Sequence, residues 1–125
     1  MARRRFGISL PQDLAEGLDI LSARLGVDRS SIVERAVRSF LEDYSHLMVP
    51  HTCSGIMVLA CQDGAESRIA ELMEEYRDIT RARFHTHAEA KCIEAIILHG
   101  DADRISLLHK EVEKAGCRAR YIPLP

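Results

Sequence analysis

The most restrictive feature of this sequence is a short alternating segment, Arg5-Phe6-Gly7-Ile8-Ser9-Leu10, set ahead of two amphipathic helical patterns with no second strand beside it. Phe6, Ile8 and Leu10 fall on one face and Arg5, Gly7 and Ser9 on the other, the period of a strand. Pro11 suits a first helical position. Leu14, Leu18, Leu21 and Leu25 then recur at helical spacing until Gly26, which predicts a helix of about four turns closed by a glycine cap. After Val27-Asp28-Arg29, Ser30 or Ser31 caps a second helix. Ser31 with Glu34 has capping-box spacing, and Ile32, Val33, Ala36, Val37, Phe40 and Leu41 make an apolar face. A lone strand leaves its backbone groups unpaired, and a unit this small cannot bury both helix stripes. Dimerisation answers both needs, with two strands pairing into an antiparallel ribbon over the helices of two chains.

A two-stranded ribbon fits the major groove of DNA. Over residues 4–44 the chain resembles the ribbon-helix-helix family of transcription regulators. The resemblance rests on the alternating strand, on Leu-Pro-x-x-Leu at 10–14 and on Gly-x-x-x-Ser at 26–30. It implies that Arg5, Gly7 and Ser9 face the base edges, with Arg5 able to make a bidentate contact with guanine. Gly7 departs from the family, which places a side chain there. Ser30, with Arg29 beside it, and the first N–H groups of the second helix are expected to hold a phosphate. Residues 1–45 carry seven arginines against seven acidic residues. The sum is neutral, but Arg3, Arg4 and Arg5 concentrate positive field at the N-terminus. The bland reading leaves Arg3–Arg5 as a solvated tail and Ser30 as a cap.

Residues 46–54 have no period and contain Pro50, which reads as a linker. From Gly55 the pattern changes. A buried-type strand at 56–61 is followed by the turn Gln62-Asp63-Gly64 and a helix from Glu66 to Tyr76. A strand pair at 79–87 and 92–99 follows, then a helix from Ala102 to Ala115 and a last strand at 118–123. This β-α-β-β-α-β order is that of ferredoxin-like, ACT-like domains. The predicted fold class is α+β: a ribbon-helix-helix domain at 1–45, a linker at 46–54 and an ACT-like domain at 55–125.

In that second half, His85 and His87 share one face of their strand, and a loop at 88–91 sets Cys92 opposite His87. Two imidazoles and a thiolate form half of a transition-metal site. The alternative is two histidines on a wet sheet face beside a buried cysteine that acts as a small hydrophobe. His46, His51 and Cys53 offer a second set of donors, in a linker that is poorly suited to preorganise them. His99 and His109 read as surface or interface histidines.

A ribbon-helix-helix head, a β-α-β-β-α-β tail and His-x-His followed by Cys together resemble the nickel-responsive regulator family over nearly the whole chain. The resemblance implies a DNA operator as partner, a homodimer through the ribbon and a homotetramer through the tails, and repression of metal-uptake genes. It also implies a Ni²⁺ site of His85, His87 and Cys92 from one chain with a histidine from another. Two departures stand out. Four residues separate His87 from Cys92 where the family has five, and the fourth histidine's place is taken by Glu74. A carboxylate from Glu74 of a second chain gives His₂CysGlu, which also admits Zn²⁺ or Co²⁺.

The longest apolar runs are far too short to span a bilayer, and Met-Ala-Arg-Arg-Arg lacks the following hydrophobic segment of a secretory signal, so a cytoplasmic setting is expected. Cys53, Cys61, Cys92 and Cys117 lie far apart and are expected as thiols. Two other classes remain: a tail that senses an organic ligand or only oligomerises, and an enzyme using Cys92 with His85 or His87 as nucleophile and base. The enzyme reading lacks an oxyanion loop and an orienting third residue.

Overall fold

The leucine stripe predicted near the N-terminus forms α1 (Gln12–Leu25), which Gly26 closes in the left-handed conformation at φ 63°. Pro11 stands just outside the helix, as its N-cap residue. The second helix, α2 (Arg29–Asp43), starts earlier than expected because Asp28 caps it. The Ser31 N–H and hydroxyl donate to the Asp28 carboxylate at 3.3 and 2.7 Å. An ionised carboxylate is a strong acceptor for an unpaired N–H at the positive helix end, so it displaces the serines from the cap. Those hydrogen bonds hold the Asp28 carboxyl below its ordinary pKa.

The computed structural model describes residues 2–5, 7–44 and 49–124, and divides the chain into two compact units, Met1–Ser39 and Phe40–Pro125. Phe6 of the expected strand and His46 of the expected linker lie outside the described residues. In the first unit, residues 7–10 join no strand ladder within one chain. No residue of α1 is buried, and Ile8, Leu14 and Leu25 are each more than half exposed. Both helix stripes therefore stand open, as the size argument requires of an unpaired head.

In the second unit the element order is β1 (Thr52–Cys61), α3 (Glu66–Glu75), β2 (Thr80–Ala88), β3 (Lys91–Asp101), α4 (Ala102–Lys114) and β4 (Cys117–Pro123). The strands form one antiparallel sheet in the order β2-β3-β1-β4, the expected β-α-β-β-α-β architecture. Strand alternation sends Met57, Leu59, Ile96, Leu98 and Tyr121 into a core with Ile69 and Leu72 of α3 and Ile105, Leu108 and Val112 of α4. Gly55 is required there, since a Cβ would lie 2.6 Å from the Tyr121 ring. The other sheet face carries Val58, Phe84, Ile93 and Ile122, all exposed.

The cysteines and His109 depart from the pattern expected of them. Cys61 and Cys117 form a disulfide rather than remaining thiols, while Cys53 and Cys92 are free and buried. The cause is topological: β1 and β4 pair with Cys61 directly opposite Cys117, a proximity that their separation of 56 residues hides. His109 is buried rather than a surface histidine, and it stacks on Tyr44 at 5.0 Å. It borders the stripe of Ile105, Leu108 and Val112 on α4, and a helical stripe broad enough to fill the core takes in that flank.

Candidate metal centre

The β2–β3 hairpin builds the site. Its turn is Glu89-Ala90, with φ 51° and 66°, so two residues connect the strands instead of four. Positive φ at both central positions is what a tight hairpin turn needs, although neither residue favours it. The shortening leaves the register unchanged: Ala88 pairs with Lys91, and His87 faces Cys92 as expected. His85 faces Glu94 one step further along. All four side chains lie on the helix-covered face, at the end of the sheet where β2 is an edge strand.

His85, Cys92 and Glu94 place one donor atom each within 4.8 Å of one another. Cys92 Sγ is 3.4 Å from His85 Nδ1, and Glu94 Oε2 is 3.5 Å from the same nitrogen and 3.6 Å from the thiol. Glu94 is 1% exposed, and Arg83 Nε donates to its other oxygen. That pairing makes the buried carboxylate tolerable. His87 is perpendicular to His85 at 4.8 Å and is held by Glu66 Oε1, 2.5 Å from its Nε2. Hydrogen bonding to His87 keeps the Glu66 carboxyl below its usual range. The cluster opens into a cleft of 590 Å³ lined by Gly64, Glu66, Ser67 and Arg83 among others.

Burial pushes the Cys92 thiol up, and the neighbouring Glu94 charge adds to this. A thiol in that position favours its neutral form unless a cation joins it, and a divalent metal is such a cation. The donor set of imidazole, thiolate and carboxylate fits a late divalent ion. Cys92 and Glu94 together supply two negative charges against its two positive ones.

Glu74 is exposed on α3 and ion-paired with Arg77 at 3.1 Å. It is not part of the single-chain cluster; the carboxylates brought to the histidines are Glu94 and Glu66. A signal for Glu94 was present, since it is two residues after Cys92 on a strand and so shares its face. The linker donors do not converge among the described residues. His51 Nδ1 contacts Val49 O at 2.7 Å, and Cys53 is hydrogen-bonded to the Tyr121 hydroxyl at 2.9 Å. His99 is exposed and bonded to Ser54.

In the first unit, Arg3, Arg4, Arg5, Gly7 and Ser9 are all exposed, and Arg29 and Ser30 are exposed at the start of α2. Arg3 pairs with Glu34, and Arg29 with Asp19, each at 3.3 Å. Surface pairs of this kind are weak enough to yield to a phosphate.

Residues 2–45 match the family described as ribbon-helix-helix domain, and residues 57–115 match the NikR C terminal nickel binding domain. A protein of Methanosarcina mazei provisionally named nickel-responsive regulator 3 is 31% identical over 107 residues, covering 81% of this chain and 76% of its own. A relative of Methanocaldococcus jannaschii with a similar provisional name is 30% identical, with the same coverage. An uncharacterized protein from Thermotoga maritima shares the fold with a TM-score of 0.56 at 20% identity, covering 60% of this chain and all of that one.

Proposed function

Because the chain belongs to the nickel-responsive regulator family, transcription regulators rather than enzymes, with a dimerising ribbon-helix-helix DNA-binding domain, we propose that it is a cytoplasmic, metal-responsive repressor of metal-uptake genes. The observation that carries this reading is the convergence of His85, Cys92 and Glu94 within 4.8 Å, inside the matched nickel-binding domain. His85, His87 and Cys92 hold the ion, Glu94 balances charge beside them, and Glu74 of a second copy supplies the interchain ligand. The nitrogen and sulfur donors suit Ni²⁺; the carboxylates widen the choice toward Co²⁺ and Zn²⁺. Bound there, the metal supplies a positive charge and bonds shared between chains.

We divide the chain into a DNA-binding head at 1–45, a linker at 46–54 whose end, from Thr52, already belongs to β1, and a sensing tail at 55–125. Arg5, Gly7 and Ser9 face the bases of an operator, while Arg3, Arg4, Arg29 and Ser30 contact phosphates. The tails assemble into a homotetramer, a reading supported by the exposed apolar sheet face at Val58, Phe84, Ile93 and Ile122. Ligands drawn from two chains favour one arrangement of the tails, and through the linker one placement of the heads. A coupling of about 1–3 kcal/mol makes a useful switch.

The test is a titration of purified protein with Ni²⁺, Co²⁺, Zn²⁺ and Cu²⁺ that reads stoichiometry, absorption spectrum and operator affinity together. A thiolate-to-metal absorption band and tighter operator binding support the reading. Full-strength operator binding by metal-free protein transfers the tail to the organic-ligand or purely oligomerising class.

A further inference from the structure

One row of side chains crosses the whole sheet: His87 on β2 faces Cys92 on β3, Cys92 faces Cys61 on β1, and Cys61 faces Cys117 on β4. The three cysteines are 3%, 2% and 6% exposed. Directly opposed residues on neighbouring antiparallel strands have Cβ atoms roughly 5 Å apart, so the free thiol of Cys92 adjoins the Cys61–Cys117 disulfide. The register sets the three positions in the order attacking sulfur, central sulfur, leaving sulfur, with Cys61 between the other two. Burial keeps external thiols from Cys61, whereas Cys92 needs no access from solvent. Cys53, the other free cysteine, is at the far end of β1 and bonded to Tyr121.

We propose that Cys92, Cys61 and Cys117 form a thiol–disulfide relay that couples disulfide connectivity to occupancy of the metal centre, an inference that rests on Cys92 being a metal ligand. In the step, Cys92 as thiolate attacks Cys61 Sγ. The Cys92–Cys61 bond forms as the Cys61–Cys117 bond breaks, and Cys117 leaves as a thiolate that takes up the proton Cys92 gave up. One disulfide is exchanged for another, so no external oxidant or reductant is consumed. The exchanged form has lost its sulfur donor and retains His85, His87 and Glu94, a harder and weaker set for Ni²⁺. Conversely, Cys92 committed to a metal cannot attack Cys61, so metal occupancy and disulfide connectivity are linked. Disulfides of cytosolic proteins are commonly transient and redox-sensing, which suits this role.

The experiment maps disulfides in the full-length wild-type protein, purified without reductant and incubated either with chelator or with Ni²⁺. The samples are quenched in acid, alkylated and digested for mass spectrometry. In the metal-free sample, Cys61–Cys92 peptides appear beside Cys61–Cys117 peptides, and alkylated Cys117 rises as alkylated Cys92 falls. Ni²⁺ lowers the Cys61–Cys92 fraction at least about tenfold. In Cys92→Ser only the Cys61–Cys117 linkage forms. If metal-free wild type shows Cys61–Cys117 alone, or no disulfide, the relay is overturned and the metal reading stands. Exchange that proceeds equally with Ni²⁺ present overturns the link to the metal centre, and Cys92's role as a ligand with it.

Discussion

Glu94 faces His85 across the β2–β3 ladder, with its Oε2 3.5 Å from His85 Nδ1 while Arg83 holds its other oxygen. This arrangement fixes the imidazole and brings a buried negative charge to the cluster. Glu94→Gln keeps the shape and removes the charge. Metal affinity is expected to fall about 10–100-fold, the usual effect of losing a group that orients a ligand. Metal-free stability should fall by about 1–3 kcal/mol, less than for a fully buried pair, because Arg83 is 34% exposed and can turn to water. Competition with a chelator measures the first effect and urea denaturation the second. Unchanged affinity would remove Glu94 from the site.

Metal binding should strengthen as pH rises. The Cys92 thiol is pushed up, first by burial and then by Glu94, so it is neutral near pH 7 and must release its proton to ligate. The expected gain is about tenfold in affinity per pH unit, continuing until pH passes the raised thiol pKa. Cys92→Ser should flatten this slope as well as weaken binding. An equally steep pH dependence in that variant would show that the released proton comes from another group.

The hairpin's register was legible in the sequence, although its turn was not. Loops of two and four residues both leave His87 opposite Cys92, so the misjudged length had no consequence for the site. Glu94 was harder to see. It interrupts an apolar run, and its burial makes sense only once Arg83 is known to reach it across the ladder. The Cys61–Cys117 bridge depends on the order in which strands pair, which residue spacing does not encode. At Asp28 the candidates were adjacent, and the stronger acceptor took the cap.

The exposed apolar sheet face leads to a prediction about assembly. Phe84 is 64% exposed on the same sheet face as Ile93, Val58 and Ile122. Its side chain points away from the helix-covered core, so a change there leaves the fold intact. If the tails assemble as proposed, Phe84→Glu should convert tetramers to dimers in sedimentation experiments while the far-ultraviolet circular dichroism stays the same. A tetramer that persists would place the contact between tails elsewhere.

Operator binding separates the roles expected in the head. Arg5 is exposed on the segment proposed to pair into the ribbon, and Arg29 opens α2 beside Ser30. A bidentate base contact discriminates between sequences, whereas a phosphate contact does not. Arg5→Ala should therefore cost about 1–3 kcal/mol on the operator and little on unrelated DNA. Arg29→Ala should weaken both alike and reduce the slope of log affinity against log salt by about one. Binding isotherms at several salt concentrations, on operator and on unrelated DNA, distinguish the two. Equal losses on both DNAs for Arg5→Ala would make it a phosphate contact and move base reading to Ser9 and the ribbon's remaining outward positions.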